Sequence, residues 1–123
     1  MPRPRLILHI VPGDGWDAGG SVNYAAPSLS SEGFIHCSTP EQVLGPAHAL
    51  FRGQGGLVLL CIDAHRLQAA VVYEDCYAAG ETFPHIYGPI ERDAVVAVVP
   101  FPPDANGAFT LPNEVDEVRA SLG

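Results

Sequence analysis

The feature that most constrains the fold is a continuous apolar run in the middle of the chain, GLVLLCID at residues 56–63. An unbroken apolar run of strand length predicts a β-strand that is covered on both faces. A strand of this kind needs neighbours on either side. We therefore expect residues 56–63 to lie at the centre of a sheet.

Shorter patterns predict the other elements. Strands are expected at 5–11 (RLILHIV), 33–38 (GFIHCS), 71–74, 94–101 (AVVAVVPF) and, as an edge, 108–111. Helices are expected from Asp14 to the pair Gly19 and Gly20, from a cap at Ser38 or Thr39 through Phe51, as one turn after Asp63, and over 112–121. The Ser- and Pro-rich stretch 24–32 is expected to be a loop. Strands and helices do not alternate regularly, so the fold class is predicted to be α+β.

The length and composition predict one domain with a substantial core. The chain has 123 residues, of which 47% are hydrophobic. No apolar run approaches the roughly 20 residues of a membrane-spanning helix. The three cysteines show neither disulfide-framework nor zinc-type spacing. We therefore expect a soluble, cytoplasmic protein spanning 1–123, with no membrane contact.

The charge argues against one class of partner. The formal net charge is −8, with six arginines and no lysine, which leaves no basic stripe to follow an extended nucleic acid. A small phosphate-bearing ligand remains open, because histidines and backbone N–H groups hold phosphate inside acidic proteins.

Three predicted strands each carry a histidine on one face. His9 interrupts the apolar run of the first strand. In the second strand Ile35 and Cys37 share one face, whereas Phe34, His36 and Ser38 share the other; in 83–90, His85 and Tyr87 lie opposite Ile86. One buried histidine is usually structural, but burying several titratable rings is costly without a use for them. We expect the three faces to meet in one cleft, with Cys37 on the core side.

The segments GFIHCST with EQVL, VLLCID, FPHIYGPI and DAVVAV resemble the bacterial domain-of-unknown-function family 952. The resemblance covers a core of about 5–101 and leaves a C-terminal extension at 102–123. It implies an ADP-ribosyltransferase-like β-rich core with few short helices and a cleft for NAD. His9 matches the first-strand position of that group, and His36 with Ser38 or Thr39 matches the second. His85 or Tyr87 stands where a glutamate is expected.

Several functions remain open on these residues. The first is a pocket for NAD or a related nucleotide, with His36, His85 and Ser38 as catalytic candidates and with His9, Trp16, Phe34, Thr39 and Tyr87 binding the ligand. A second is a two-histidine phosphoesterase built on His36, Ser38 and His85. A metal site on His9, His36 and His85, with Asp63 or Glu74, ranks below these, so we predict no metal. A non-enzymatic interaction module is the last alternative.

Overall fold

The computed structural model describes residues 3–17, 23–75 and 80–122, and it has an α+β fold. The strands are β1 (Leu6–Pro12), β2 (Ile35–His36), β3 (Leu57–Asp63), β4 (Val71–Glu74), β5 (Phe83–Ile86) and β6 (Val95–Pro100). The α-helices are α1 (Gly13–Asp17), α2 (Pro27–Glu32), α3 (Leu44–Leu50) and α4 (Asn113–Ser121). Two 3-10 turns, Ala64–Arg66 and Arg92–Ala94, precede β4 and β6.

The strands form two antiparallel sheets of three strands each. Sheet one has the order β1-β3-β6 and sheet two the order β2-β5-β4. The apolar run is therefore the central strand of sheet one, as predicted. In sheet two His36 is paired directly with His85, so two of the predicted site residues are cross-strand neighbours.

The two sheets and the helices form layers around two apolar clusters. One cluster lies between the sheets and contains Ile7, Val11, Ile35, Cys37, Leu60, Ile62 and Ile86 among others. The other contains Leu6, Leu8, Leu59, Val43, Ala47 and Val115, so it joins the opposite face of sheet one to α3 and α4. Alternate residues of β1 and β3 serve the two clusters. This explains why β3 is apolar from Leu57 to Ile62.

An ion pair between Arg5 and Asp63 lies at one end of sheet one. The carboxylate of Asp63 is fully buried and accepts hydrogen bonds from Nε and Nη2 of Arg5, both at 2.9 Å. Nε of Arg66 lies 3.3 Å from the same carboxylate. The hydrogen bonds from Arg5 lower the pKa of Asp63, although burial acts in the opposite direction. Asp63 also accepts from the backbone N–H of His65 and so caps the turn that the sequence predicts there.

Three expectations are wrong in part. The stretch 24–32 contains α2, which begins at Pro27 and ends at Gly33 with a φ of 91°. The residues 108–111 form no strand, although the structure describes all of them. The second strand is confined to Ile35–His36, and Ser38 joins β1 through an isolated bridge to Leu8. The end predicted for the first helix, at Gly19 and Gly20, lies outside the described residues.

Helix α3 begins later than the sequence predicts. Backbone turns from Thr39 to Val43 precede it, and the helix starts at Leu44. Pro46 therefore falls in the first helical turn, where its missing N–H has no helical partner to lose. Among the helices that the structure describes, none is long and apolar enough to cross a membrane.

Candidate functional site

A cavity of about 470 Å³ opens where the free edge of β1 meets the segment after β2. We call this cavity the cleft. It is lined by Leu8, His9, Ile10, His36, Cys37, Ser38, Gly45, Pro46, Ala49, Leu50, Phe51 and Phe83. Both sheets and α3 therefore contribute walls. The volume lies in the range of sites that hold small organic ligands.

The backbone joint between β1 and Ser38 sets the position of the cleft. The N–H of Leu8 donates to the carbonyl of Ser38, and the N–H of Ser38 donates to the carbonyl of Leu8, each at 2.8 Å. Cys37 donates to the carbonyl of Pro84 at 3.1 Å and so holds the same segment to β5. Side chains alternate along the segment, which turns Cys37 into the core between the sheets and is consistent with its predicted facing.

His9 is held in one tautomer at the wall of the cleft. Its Nδ1 lies 2.7 Å from the backbone carbonyl of His36. A carbonyl only accepts hydrogen bonds, so Nδ1 carries the proton and Nε2 of the neutral ring is an acceptor. Burial lowers the pKa of His9 to about 4; the bond to His36 opposes this shift, and the charge of the His36 ring adds to it. His9 is therefore a neutral hydrogen-bond acceptor at physiological pH.

His36 connects the cleft to an aromatic cluster on the outer face of sheet two. The ring centroids of His36 and His85 are 5.3 Å apart, edge to face. Phe34 stacks on His85 at 4.2 Å and lies 4.9 Å from His36 and 5.4 Å from Tyr87. His36 lines the cleft, whereas the side chain of His85 is completely buried. Of the two imidazoles, His36 is therefore the one a ligand in the cleft can contact.

Each of these two histidines is paired with a carboxylate that the sequence analysis did not assign to it. Oε2 of Glu32 lies 3.0 Å from Nε2 of His36. Oε1 of Glu74 lies 2.9 Å from Nδ1 of His85 and also accepts the hydroxyl of Tyr87. The hydrogen bonds from Tyr87 and then His85 lower the pKa of Glu74. Glu32 and His36 are only four residues apart, so their proximity could have been found from the sequence. Glu74 is eleven residues from His85 and reaches it through the pairing of β4 with β5.

Two further predicted site residues lie away from the cleft lining. Trp16 packs edge to face on Tyr24 at 5.7 Å, and the guanidinium of Arg92 lies 3.8 Å from its ring centroid. The ring centroids of Tyr24 and His9 are 5.8 Å apart, so the ring of Tyr24 lies between Trp16 and His9. The backbone N–H of Thr39 is bonded to Oε1 of Gln42. Thr39 therefore begins the turns before α3 and lies beside the cleft.

Within 3–17, 23–75 and 80–122, no group of three His, Cys, Asp or Glu side chains is placed to hold a metal ion. Asp63 is a candidate ligand in the metal hypothesis. It is the last residue of β3, and its carboxylate is hydrogen-bonded to Arg5. The contact between His9 and His36 joins the imidazole ring of His9 to the backbone carbonyl of His36.

The fold and the cleft define a small α+β protein with two three-stranded sheets and a histidine-walled pocket at their junction. The chain belongs to the family described as "Protein of unknown function (DUF952)", whose model matches residues 10–98. The family resemblance of the sequence is thereby confirmed, while the description of the family assigns no activity.

Solved structures of the protein CC0527 from Caulobacter crescentus are similar to this chain. Its crystal structure is 34% identical, with a TM-score of 0.75, and the match covers 90% of this chain and 98% of that one. A double mutant of CC0527 gives 33% identity over the same shares, with the same TM-score. The solution NMR structure gives 32% identity and a TM-score of 0.73, over 92% and 96% of the two chains. No curated protein matches significantly.

Proposed function

We propose that the cleft binds NAD or a related phosphate-bearing nucleotide, in the manner of an ADP-ribosyltransferase-like protein. The observation that carries the proposal is the meeting of His9 with the His36 segment beside a cavity of small-molecule size. Mostly apolar walls with a few convergent polar groups are typical of ligand sites.

The order of the site residues along the strands supports this proposal. His9 lies on β1, His36 lies on β2 with Ser38 two residues later, and His85 lies on β5. The ADP-ribosyltransferase-like resemblance implies the same succession of first, second and later strand in a split β-rich core. Two separate three-stranded sheets would form the two halves of that core.

The polar groups of the cleft suit a sugar or an amide better than a phosphate. Nε2 of neutral His9 would accept a hydrogen bond from a ribose hydroxyl or a carboxamide N–H, and Ser38 offers a hydroxyl beside it. The lining contains no arginine. The phosphates of the nucleotide would therefore stay at the mouth, in water, where their charge needs no buried partner.

A transfer reaction would draw on the carboxylates that surround His36. Loss of nicotinamide leaves positive charge on the ribose, and a preorganised negative field stabilises such charge. Glu32 is bonded directly to His36, and Glu74 to the neighbouring His85 and Tyr87. Under this proposal His36 and Ser38 set the geometry of the ribose. Glu74 would supply the carboxylate that the ADP-ribosyltransferase-like resemblance expects at the position of His85 or Tyr87.

The alternatives receive less support from the geometry. A two-histidine phosphoesterase needs both imidazoles at the substrate, and the side chain of His85 is fully buried. An interaction module without a ligand would be favoured by histidines that lie far apart, yet the rings of His36 and His85 are 5.3 Å apart.

The test is calorimetric titration with NAD, ADP-ribose, AMP and inorganic phosphate, repeated by NMR of the histidine rings. His9→Gln is expected to weaken nucleotide binding at least tenfold, because the amide restores neither the ring nor the position of Nε2. His65→Gln is the matched control, since His65 is exposed on the turn after β3. Absence of heat and of ring shifts with all four compounds would overturn the proposal.

A further inference from the structure

We propose that the end of the cleft formed by α3 is a separate subsite that binds an uncharged alkyl or aryl group of a small molecule. This α3 end consists of Gly45, Pro46, Ala49, Leu50 and Phe51, and it is faced by Ile10 and Phe83. The inference concerns the same cleft as the proposed function, but it requires no nucleotide.

The chemistry of this wall selects the class of ligand. The polar side chains of the described lining, His9, His36 and Ser38, belong to β1, to β2 and to the segment after β2, and none belongs to α3. Among the residues that the structure describes, no Asp, Glu, Lys or Arg lines the cleft. A charged ligand group at the α3 end would lose hydration without gaining a partner, whereas an apolar group would gain from burial.

Leu50 supplies an independent reason to expect an apolar occupant. Its side chain is 73% exposed, the largest exposure among the large hydrophobic residues that the structure describes. It stands at the rim of the cleft beside Phe51 and Ala49. A ligand that covered Leu50 would remove apolar surface of both partners from water, which favours binding in proportion to the area buried.

Gly45 keeps the α3 end open. Apart from its two chain neighbours and the backbone of α3, no heavy atom of the described residues lies within 4 Å of the position that a Cβ atom would take at Gly45, which lines the cleft within the first turn of α3. A larger side chain can therefore enter the space that we assign to the ligand without displacing protein atoms. This makes Gly45 the position at which the subsite can be filled while the fold is retained.

The experiment is a titration with straight-chain alcohols from butan-1-ol to octan-1-ol, followed by methyl NMR of Leu50 and Ile10. Each added methylene is expected to tighten binding about fourfold until the cavity is full. The methyl groups of Leu50 and Ile10 should shift, and those of Leu59, which lies in the core, should not. Hexanoate and hexylammonium should bind at least tenfold more weakly than hexan-1-ol.

Substitutions at Gly45 and Leu50 test whether the alcohol binds at the α3 end. Gly45→Phe is expected to weaken binding of octan-1-ol at least tenfold, and Gly45→Ala should leave it within about twofold. Leu50→Ser, at an exposed position that the fold does not need, should weaken binding severalfold and serves if Gly45→Phe does not fold. Equal affinities in Gly45→Phe and Gly45→Ala, no dependence on chain length, or equal binding of the charged analogues would each overturn the proposal.

The outcome is separable from that of the nucleotide proposal. His9→Gln should leave the dependence on alcohol chain length unchanged, because the side chain of His9 belongs to β1 and not to the apolar wall formed by α3. Chain-length dependence without nucleotide binding would leave the subsite standing and remove the nucleotide proposal. Nucleotide binding without chain-length dependence would do the reverse.

Discussion

The buried imidazole of His9 links the stability of the protein to pH. Its pKa in the folded protein is about 4, below the ordinary value of about 6.5 expected in the unfolded chain. Between these two values the unfolded state binds more protons than the folded state, so stability falls as the pH falls. The contribution is fully present above the unfolded pKa and is lost progressively towards the folded one.

We expect the wild-type protein to lose about 2 kcal/mol of unfolding free energy from His9 between pH 7 and pH 5. Urea denaturation of the wild type and of His9→Gln at the two values measures this difference. The carboxylates Asp63 and Glu74, whose pKa values are lowered, contribute mainly below this window. The same loss in His9→Gln as in the wild type would show that His9 is not the source.

The sequence predicted part of the site because strand alternation is a local property. His9, His36 and Ser38 were assigned to polar faces, and all three line the cleft. The burial of His85 was not predictable, since it depends on Phe34, the residue before β2, stacking on its ring. The pairing of Glu74 with His85 and Tyr87 was missed for the same reason: it follows from the register of β4 against β5.

At the scale of secondary structure, two glycines should respond differently to alanine. Gly33 follows α2 with a φ of 91°, and Gly45 lies in the first turn of α3, directly before Pro46. Gly33→Ala should destabilise the protein by about 1 kcal/mol, because a Cβ is strained in the left-handed region. Gly45→Ala should change the stability by less than about 0.5 kcal/mol, because alanine favours the helix but its Cβ crowds the ring of Pro46, the next residue.

Thermal and urea unfolding of the two variants measure the difference. The two variants therefore separate the effect of a left-handed backbone at Gly33 from that of a helical position before proline at Gly45. A gain in stability from Gly33→Ala would show that the end of α2 is not left-handed in solution.

The elements that the sequence predicted well are those with a recognisable apolar pattern or a clear boundary residue. β3 is apolar at nearly every position, and α4 begins just after Pro112. α2 was missed because it buries none of its residues and so has no apolar face to detect. Its boundaries were still encoded, by Pro27 at the start and Gly33 at the end. The short β2 reflects tertiary pairing, which a run such as GFIHCS does not specify.

At the scale of the whole molecule, Arg5 joins three distant parts of the chain. It is bonded to the buried carboxylate of Asp63 at the end of β3, and its Nη1 donates to the carbonyl of Leu122 after α4. Removing Arg5 would leave the buried carboxylate of Asp63 with only the longer contact from Arg66 and the backbone N–H of His65, which is costly. The start of β1, the end of β3 and the C-terminal helix are thus held by one guanidinium.

We expect Arg5→Met to reduce the free energy of unfolding more than any loss of the longer contact from Arg66, because the buried carboxylate of Asp63 loses two hydrogen bonds of 2.9 Å. Arg66→Met is the matched variant, because Arg66 reaches the same carboxylate from a more exposed position and at a longer distance. It should cost less than about 1 kcal/mol. Chemical denaturation at pH 7 measures both, and equal losses would contradict the leading role of Arg5.

The walls of the cleft come from four separate stretches of the chain: 8–10, 36–38, 45–51 and Phe83. No one of these stretches encloses a volume, so the cavity exists only after every intervening loop has closed and the two sheets have docked. The cleft is therefore a property of the assembled tertiary structure, and an unfolded chain does not present it to a ligand. Any ligand that enters it acts on the native state alone and, at a hundredfold excess over its Kd, stabilises that state by about 2.7 kcal/mol.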